Sequence, residues 1–140
     1  MREKHIFQFI QEPIKFPGYS ENGWFTYERK LAIYVRKGPV YINGIHFNLV
    51  FQIANVSVKN EKDKDQGLFT EFLKRAEIRV LNFNYDAIYI ENIQQKRFWE
   101  FFINRGYETI FGYSSSLPHC CFKIYNEEYV KDKIAREYSD

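Results

Sequence analysis

Lys59 to Gln66 is a run of eight consecutive polar residues that leads through Gly67 into Leu68-Phe69-Thr70, the start of a helical pattern. The first amides of a helix have no internal partner and carry the positive end of the helix dipole, so a helix opening at Gly67 offers an anion site. Gly67 allows close backbone approach, and Lys59 and Lys62 add screened attraction. The competing reading is a solvated loop before an ordinary core helix. Other reactive side chains form no recognisable set. Cys120 and Cys121 are adjacent, without a catalytic dyad signature, and alternation in a strand would bury one as a small apolar group. His5, His46 and His119 share no ligand spacing, and Asp63 and Asp65 lack a calcium-loop pattern, so no metal is expected.

The elements that must position Gly67 follow from periodicity. The first half reads as strands. His5 to Ile10 is a short apolar run, and Gln11 to Gly23, with Pro13, Pro17, Gly18 and Gly23, reads as a long loop. Leu31, Ile33 and Val35 alternate with Lys30, Ala32, Tyr34 and Arg36 as a strand. Gly38-Pro39 is expected to reverse the chain, and Asn43-Gly44 to make a hairpin turn into a strand from Ile45 to Val58. Phe69, Phe72, Leu73, Ala76 and Val80 then mark one face of a helix, with Glu71, Lys74, Arg75 and Glu77 on the other. Asn82 to Asn84 ends it, and Tyr85 to Ile90 is a strand entering Glu91-Asn92. A second helix spans about Gln95 to Asn104, buries Phe98, Phe101 and Phe102, and stops at Arg105-Gly106. Tyr107 to Phe111 and His119 to Tyr125 read as closing strands around a Gly112 to Pro118 loop, and the tail from Glu127 as a last helix. Strand, loop, helix, strand from residue 49 onward implies a parallel β-α-β crossover joined to an antiparallel meander, a mixed α/β (α+β) sheet in a single domain, 1–140.

On these motifs the chain resembles the GNAT superfamily of N-acetyltransferases, over about residues 49 to 111. Its signature is a strand, a short basic loop with Arg/Gln-x-x-Gly-x-Gly/Ala, and a helix; Val56-Ser57-Val58 followed by Lys64-Asp65-Gln66-Gly67-Leu68-Phe69-Thr70 matches it. A later Asn-x-x-x-x-x-x-Tyr-x-x-x-Gly-Phe pattern is matched in spacing by Gln95 to Tyr107. The resemblance implies acetyl-CoA as cosubstrate, with its pyrophosphate on the backbone of Gln66, Gly67, Leu68, Phe69 and Thr70 and Lys64 at the basic motif position. It implies splayed central strands that admit the pantetheine arm, with Val56 and Val58 as its backbone partners and Gln95 in place of the usual asparagine. Phe69 departs from the second small residue of the loop, and its place on the apolar helix face points its ring into the core. Phe102 stands where many members have a tyrosine that protonates the departing thiolate, and phenylalanine has no proton to give.

Acetyl transfer then needs a neutral amine, a polarised carbonyl and sometimes a proton donor to sulfur. Glu91, at the carboxyl end of its strand, is the candidate general base or the carboxylate that draws a cationic amine in; its other reading is a solvated strand-end charge. His119 is a candidate titrating near neutrality, and Tyr89, Tyr107 and Tyr113 are candidate phenols in place of Phe102. The function implied is transfer of an acetyl group from acetyl-CoA to an amine acceptor in a ternary complex. The alternatives are a non-catalytic module on this fold that binds a protein or nucleic acid, through aromatics such as Trp24, Phe25 and Tyr27, or a nucleic-acid-modifying enzyme. The 140 residues carry a net charge of only +2, too little for affinity resting on phosphate neutralisation alone, though local basic patches stay open. No apolar run approaches the length of a membrane span, and no signal segment is seen at the start, so a reducing cytoplasmic setting is expected.

Overall fold

A computed structural model describes residues 5–42, 44–59, 67–91, 96–111 and 118–126. The elements are α1 (Ile6–Gln11), β1 (Glu21–Tyr27), β2 (Leu31–Ile42), β3 (Ile45–Val58), α2 (Leu68–Asn82), β4 (Ala87–Ile90), α3 (Lys96–Asn104), β5 (Glu108–Phe111) and β6 (Pro118–Ile124). They form a six-stranded sheet in the order β1-β2-β3-β4-β6-β5. β1, β2 and β3 are an antiparallel meander, β3 and β4 are parallel with α2 crossing between them, and β6 lies antiparallel between β4 and β5. This is the mixed α/β class expected from the residue pattern, with the parallel crossover at the expected place. Among the described residues no helix is long and apolar enough to cross a membrane. The proposed C-terminal helix from Glu127 lies outside the described residues, as do Asn43 and Tyr113.

Alternation divides the sheet's side chains between two clusters. Ile33, Val35, Phe51, Ile53, Ile88 and Ile90 pack with Ile6, Phe7, Phe9 and Ile10 of α1, Phe72, Leu73, Ala76 and Val80 of α2, and Phe102 of α3. The opposite face carries a smaller cluster of Ile42, Phe47, Val50, Ala87 and Phe122.

Four details of the sequence reading are corrected. His5 to Ile10 is the start of a helix and not a strand: Ile6, Phe7, Phe9 and Ile10 fall at helical spacing and are all buried, and His5 Nδ1 accepts from the Phe7 amide at 3.2 Å. The chain does not reverse at Gly38-Pro39. β2 runs straight on to Ile42, and Pro39 sits in a register shift between Gly38↔Val50 and Val40↔Phe47, where no ladder donor is asked of it. The extra β3 amides at this bulge, Asn48 and Leu49, both donate to Asp86 Oδ2 at 3.1 Å. Gly38 is needed for close approach, because a Cβ there would lie 2.8 Å from Ser20 Cα. The reversal between β1 and β2 falls instead at Glu28-Arg29, both with positive φ (51° and 58°). Finally, Glu77 is not on the solvated face of α2. It is 7% exposed, pairs with Arg105 and accepts from the Tyr107 hydroxyl at 2.9 Å, tying α2 to the chain just after α3.

The inward row of β2 ends in a charge. Lys37 is 1% exposed, and its ammonium donates to the carbonyls of Phe9 and Glu12 at 2.6 Å each. The Tyr85 hydroxyl donates to Ile10 O at 2.7 Å. The carbonyl end of α1 is thus closed from the sheet by a cation and a phenol, as the helix dipole favours. Lys37→Met keeps the stem and removes the donors, leaving two carbonyls short of partners. The expected loss is about 3 kcal/mol, read as a lower denaturation midpoint with an unchanged slope.

Candidate functional site

Two interruptions of regular structure meet at the carboxyl ends of β3 and β4. Among the described residues, β3 pairs with β4 from Val50↔Ala87 to Ile53↔Ile90, and the Glu91 amide donates to Ile53 O at 2.9 Å. β3 then continues to Val58, still paired to β2 on its other edge. A second bulge lies at Ala54, where the register passes from Val35↔Ile53 to Tyr34↔Asn55. The Lys59 amide donates to Lys30 O on the β2 side at 2.9 Å. Strand alternation therefore turns the backbone N–H and C=O of Val56 and Val58 to the opposite edge, the one β4 has left. Their side chains pack against the main core. The bulge switches the parity of the strand, so that these two residues serve the open edge.

The helix after β3 begins with Gly67 in the left-handed region (φ 74°, ψ 14°), with no side-chain cap. Thr70 Oγ1 donates back to Gly67 O at 2.8 Å, and the Glu71 amide reaches the same carbonyl at 3.0 Å. Among the described residues, a Cβ on Gly67 would meet only Thr70 Oγ1, at 3.5 Å. Leu68 and Phe69 pack against the core, and the Phe69 ring lies 6.1 Å from that of Phe102 and 6.3 Å from that of Phe72. The bulky residue in the turn thus turns its ring away from the helix start. Lys64, Gln66 and Gln95 lie outside the described residues.

Glu91 stands just past β4 on the face opposite the helices. Gln52 Nε2 donates to Glu91 Oε1, and the Arg36 guanidinium lies 3.8 Å from the same oxygen. Sequence reading named Glu91 but missed Gln52 and treated Arg36 only as an outward strand residue. The available signal was Gln52 itself, a lone amide in the apolar run from Leu49 to Ala54.

Of the candidate phenols, Tyr107 is committed elsewhere, Tyr89 is the register partner of Gln52, and Tyr113 lies outside the described residues. Phe102 is 2% exposed and packs against Phe69, Phe101 and Tyr107. Tyr107 is buried on Glu77; burial first, and the Glu77 charge second, push its phenol far up. Tyr89 is half-buried and raised by burial and then by a hydrogen bond with Cys120. Cys121 is buried, with its thiol pushed up by burial and by neighbouring Cys120, while Cys120 is half-exposed.

Neither a protein-family model nor a curated protein sequence matches the chain. Among solved structures it is similar to a tyrosine-to-phenylalanine mutant of the AtaT toxin bound to the C-terminus of the antitoxin AtaR and acetyl-CoA, at 10% identity and TM-score 0.46 over 79% of this chain and 64% of that one. It is also similar to a KacTA–DNA complex, at 9% identity and TM-score 0.49 over 74% of this chain and 64% of that one. A third likeness is to a structure described as a bacterial toxin, at 11% identity and TM-score 0.48 over 79% and 66% of the two chains. The chain spans less than two thirds of the length of each of these proteins. Residue roles rest on the geometry above.

Buried acids with raised pKa values set the alkaline limit of the fold. Cys121, Tyr85 and Tyr107 are all raised, chiefly by burial. Above about pH 9 the unfolded chain releases these protons while the folded chain keeps them, so stability, fully present below that pH, falls as pH rises. Each group steepens the fall by up to about 1.4 kcal/mol per pH unit. Melting temperature should hold up to about pH 8.5 and then drop, and Tyr107→Phe should make the drop shallower.

Proposed function

We propose that this protein binds acetyl-CoA along the open edge of β3 and transfers its acetyl group to an amine. The proposal is carried by two features of the crossover: the Val56 and Val58 backbone edge at the carboxyl end of β3, and the Gly67 start of the helix that follows it. The amides of the strand edge suit the amide-bearing pantetheine arm, which would pair as an added strand. The uncapped helix start suits the pyrophosphate, with Gly67, Leu68, Phe69 and Thr70 presenting backbone and Lys64 and Gln66 completing the loop. Val56 then lies one bulge beyond Ile53, the residue on which the Glu91 amide ends the ladder. On this reading Glu91 draws in the cationic amine or takes its proton during attack. Gln95 takes the motif position at the start of α3.

Thermal melting with and without acetyl-CoA tests the proposal without knowledge of the acceptor, since a ligand of the folded state raises the midpoint. Calorimetry on two variants localises the site. Gly67→Glu puts a carboxylate in front of the turn and should weaken CoA binding at least about tenfold, or about 1.4 kcal/mol. Gly67→Asn keeps a residue tolerant of the left-handed region and should bind far better than the Glu variant. Equal CoA affinity in the parent and a folded Gly67→Glu variant would refute the pyrophosphate assignment.

The second test concerns Glu91. Glu91→Gln retains size and the Gln52 contact while removing the charge. Turnover should fall by about 10² to 10⁴ if the carboxylate takes the proton, with CoA affinity unchanged. A turnover and pH profile matching the parent would return Glu91 to a surface role.

A further inference from the structure

The sheet face opposite the helices carries a run of polar and aromatic side chains that packing does not consume. It crosses the strands from Trp24 on β1 to Tyr34 and Arg36 on β2, Gln52 on β3 and Glu91 past β4, with Trp24↔Tyr34 and Arg36↔Gln52 as register partners. The Trp24 and Tyr34 rings lie 5.2 Å apart, and the Arg36 guanidinium is 5.2 Å from the Tyr34 ring centre. Trp24 is 59% exposed, and the Arg36 and Glu91 side chains are 41% and 27% exposed. A partly exposed ion pair contributes little to folding, and at 3.8 Å this one is too long for a hydrogen bond. Tyr34 steadies the guanidinium and Gln52 the carboxylate. Opposite charges are therefore held side by side without closing on each other, facing solvent beside an aromatic platform.

We infer that Arg36 and Glu91 form the acceptor subsite, and that the acceptor is a free α-amino acid with an aromatic or large apolar side chain. Its ammonium and carboxylate are separated by one carbon, a spacing of the same order as the 3.8 Å gap they would bridge. The carboxylate takes the fork of Arg36, whose planar donors match it. The ammonium takes Glu91, and the side chain lies on Tyr34 and Trp24. The inference rests on the acyl-CoA reading for its chemistry. The ammonium yields one proton to Glu91, and the free amine attacks the thioester carbonyl. A C–N bond forms and the C–S bond breaks. The second amine proton passes through solvent to the departing thiolate, and Glu91 returns its own to solvent.

The test is calorimetric titration with L-phenylalanine, L-phenylalaninamide and the tripeptide Phe-Gly-Gly, each in the presence of CoA so that no turnover occurs. The amide keeps the amine and ring and lacks the carboxylate. L-Phenylalanine should bind at least about tenfold tighter than the amide, the worth of a charged hydrogen-bonded contact. Arg36→Gln should erase that difference and Trp24→Ala should weaken both ligands. If Arg36→Gln does not fold, the acid and amide on the parent protein decide the matter. Equal affinities, no binding of L-phenylalanine, or tighter binding of the tripeptide would overturn the inference. CoA binding is read in its own titration: its failure sinks the acyl-CoA reading, whereas failure of the acid-over-amide preference with CoA bound sinks only the acceptor assignment.

Discussion

A fourteen-residue strand lies beside a four-residue one, and the site depends on that mismatch. Among the described residues, β4 pairs with β3 as far as Ile53. The backbone N–H and C=O groups of Val56 and Val58, turned away from β2, need partners, because leaving such groups unpaired away from water is costly. Closing the edge with more of β4 would remove the site, and leaving it long and regular would invite pairing with another chain. The bulge at Ala54 answers both demands. It lets β2 keep its ladder to Val58 while reversing which residues face the vacated edge. The same insertion keeps Val56 and Val58 side chains on the core. One extra residue thus anchors the strand and aims its amides.

Buried polar groups hold that geometry where apolar packing alone would slide. Asp86 fixes the first β3 bulge through the amides of Asn48 and Leu49, and its Oδ1 accepts from Asn126 Nδ2 at 3.1 Å, so β3, β4 and the end of β6 share one carboxylate. Glu77 plays the equivalent part between α2 and α3. Tyr27 accepts from Arg75 at 3.0 Å and donates to Glu71 at 2.5 Å, locking the first turns of α2 to the end of β1. The helix that Gly67 opens is therefore held on both sides. Each pin is satisfied at several atoms, the condition under which a buried charge specifies geometry without an uncompensated desolvation cost.

What could be read from sequence was what periodicity encodes. The β3 run from Ile45 to Val58 and the apolar stripe of α2 are long enough for their period to dominate, and Gly44 and Gly106, both at positive φ, mark ends through backbone chemistry. The errors share a cause: the deciding partner is distant in sequence. Glu77 looks like a surface charge until Arg105 arrives from elsewhere. Gly38-Pro39 reads as a turn because its local chemistry allows one, yet Asp86 supplies what a continuous bulged strand needs. Glu28-Arg29 has no turn signal, and the hairpin pairing of Tyr27 with Leu31 imposes the positive φ values. Arg36 and Gln52 come from two strands and Glu91 from the residue just past a third, and only the register unites them.

The absence of a phenol at Phe102 bears on which proton matters in the proposed reaction. A thiol has an ordinary pKa near about 8.5, so a thiolate leaves at neutral pH without much assistance. An amine holds its proton more firmly, with reference values of about 8 for an α-amino group and 10.4 for lysine, and attacks only after losing it. The harder proton problem lies on the acceptor side. Tyr107 and Tyr89, raised by burial, are poor donors near neutrality, and the fold spends Phe102 on packing α3 against α2. Glu91, by contrast, is partly exposed, oriented by Gln52 and placed where β3 and β4 part. On the proposed reading, the oriented Glu91 carboxylate serves the step that needs it and the thiolate is left to solvent.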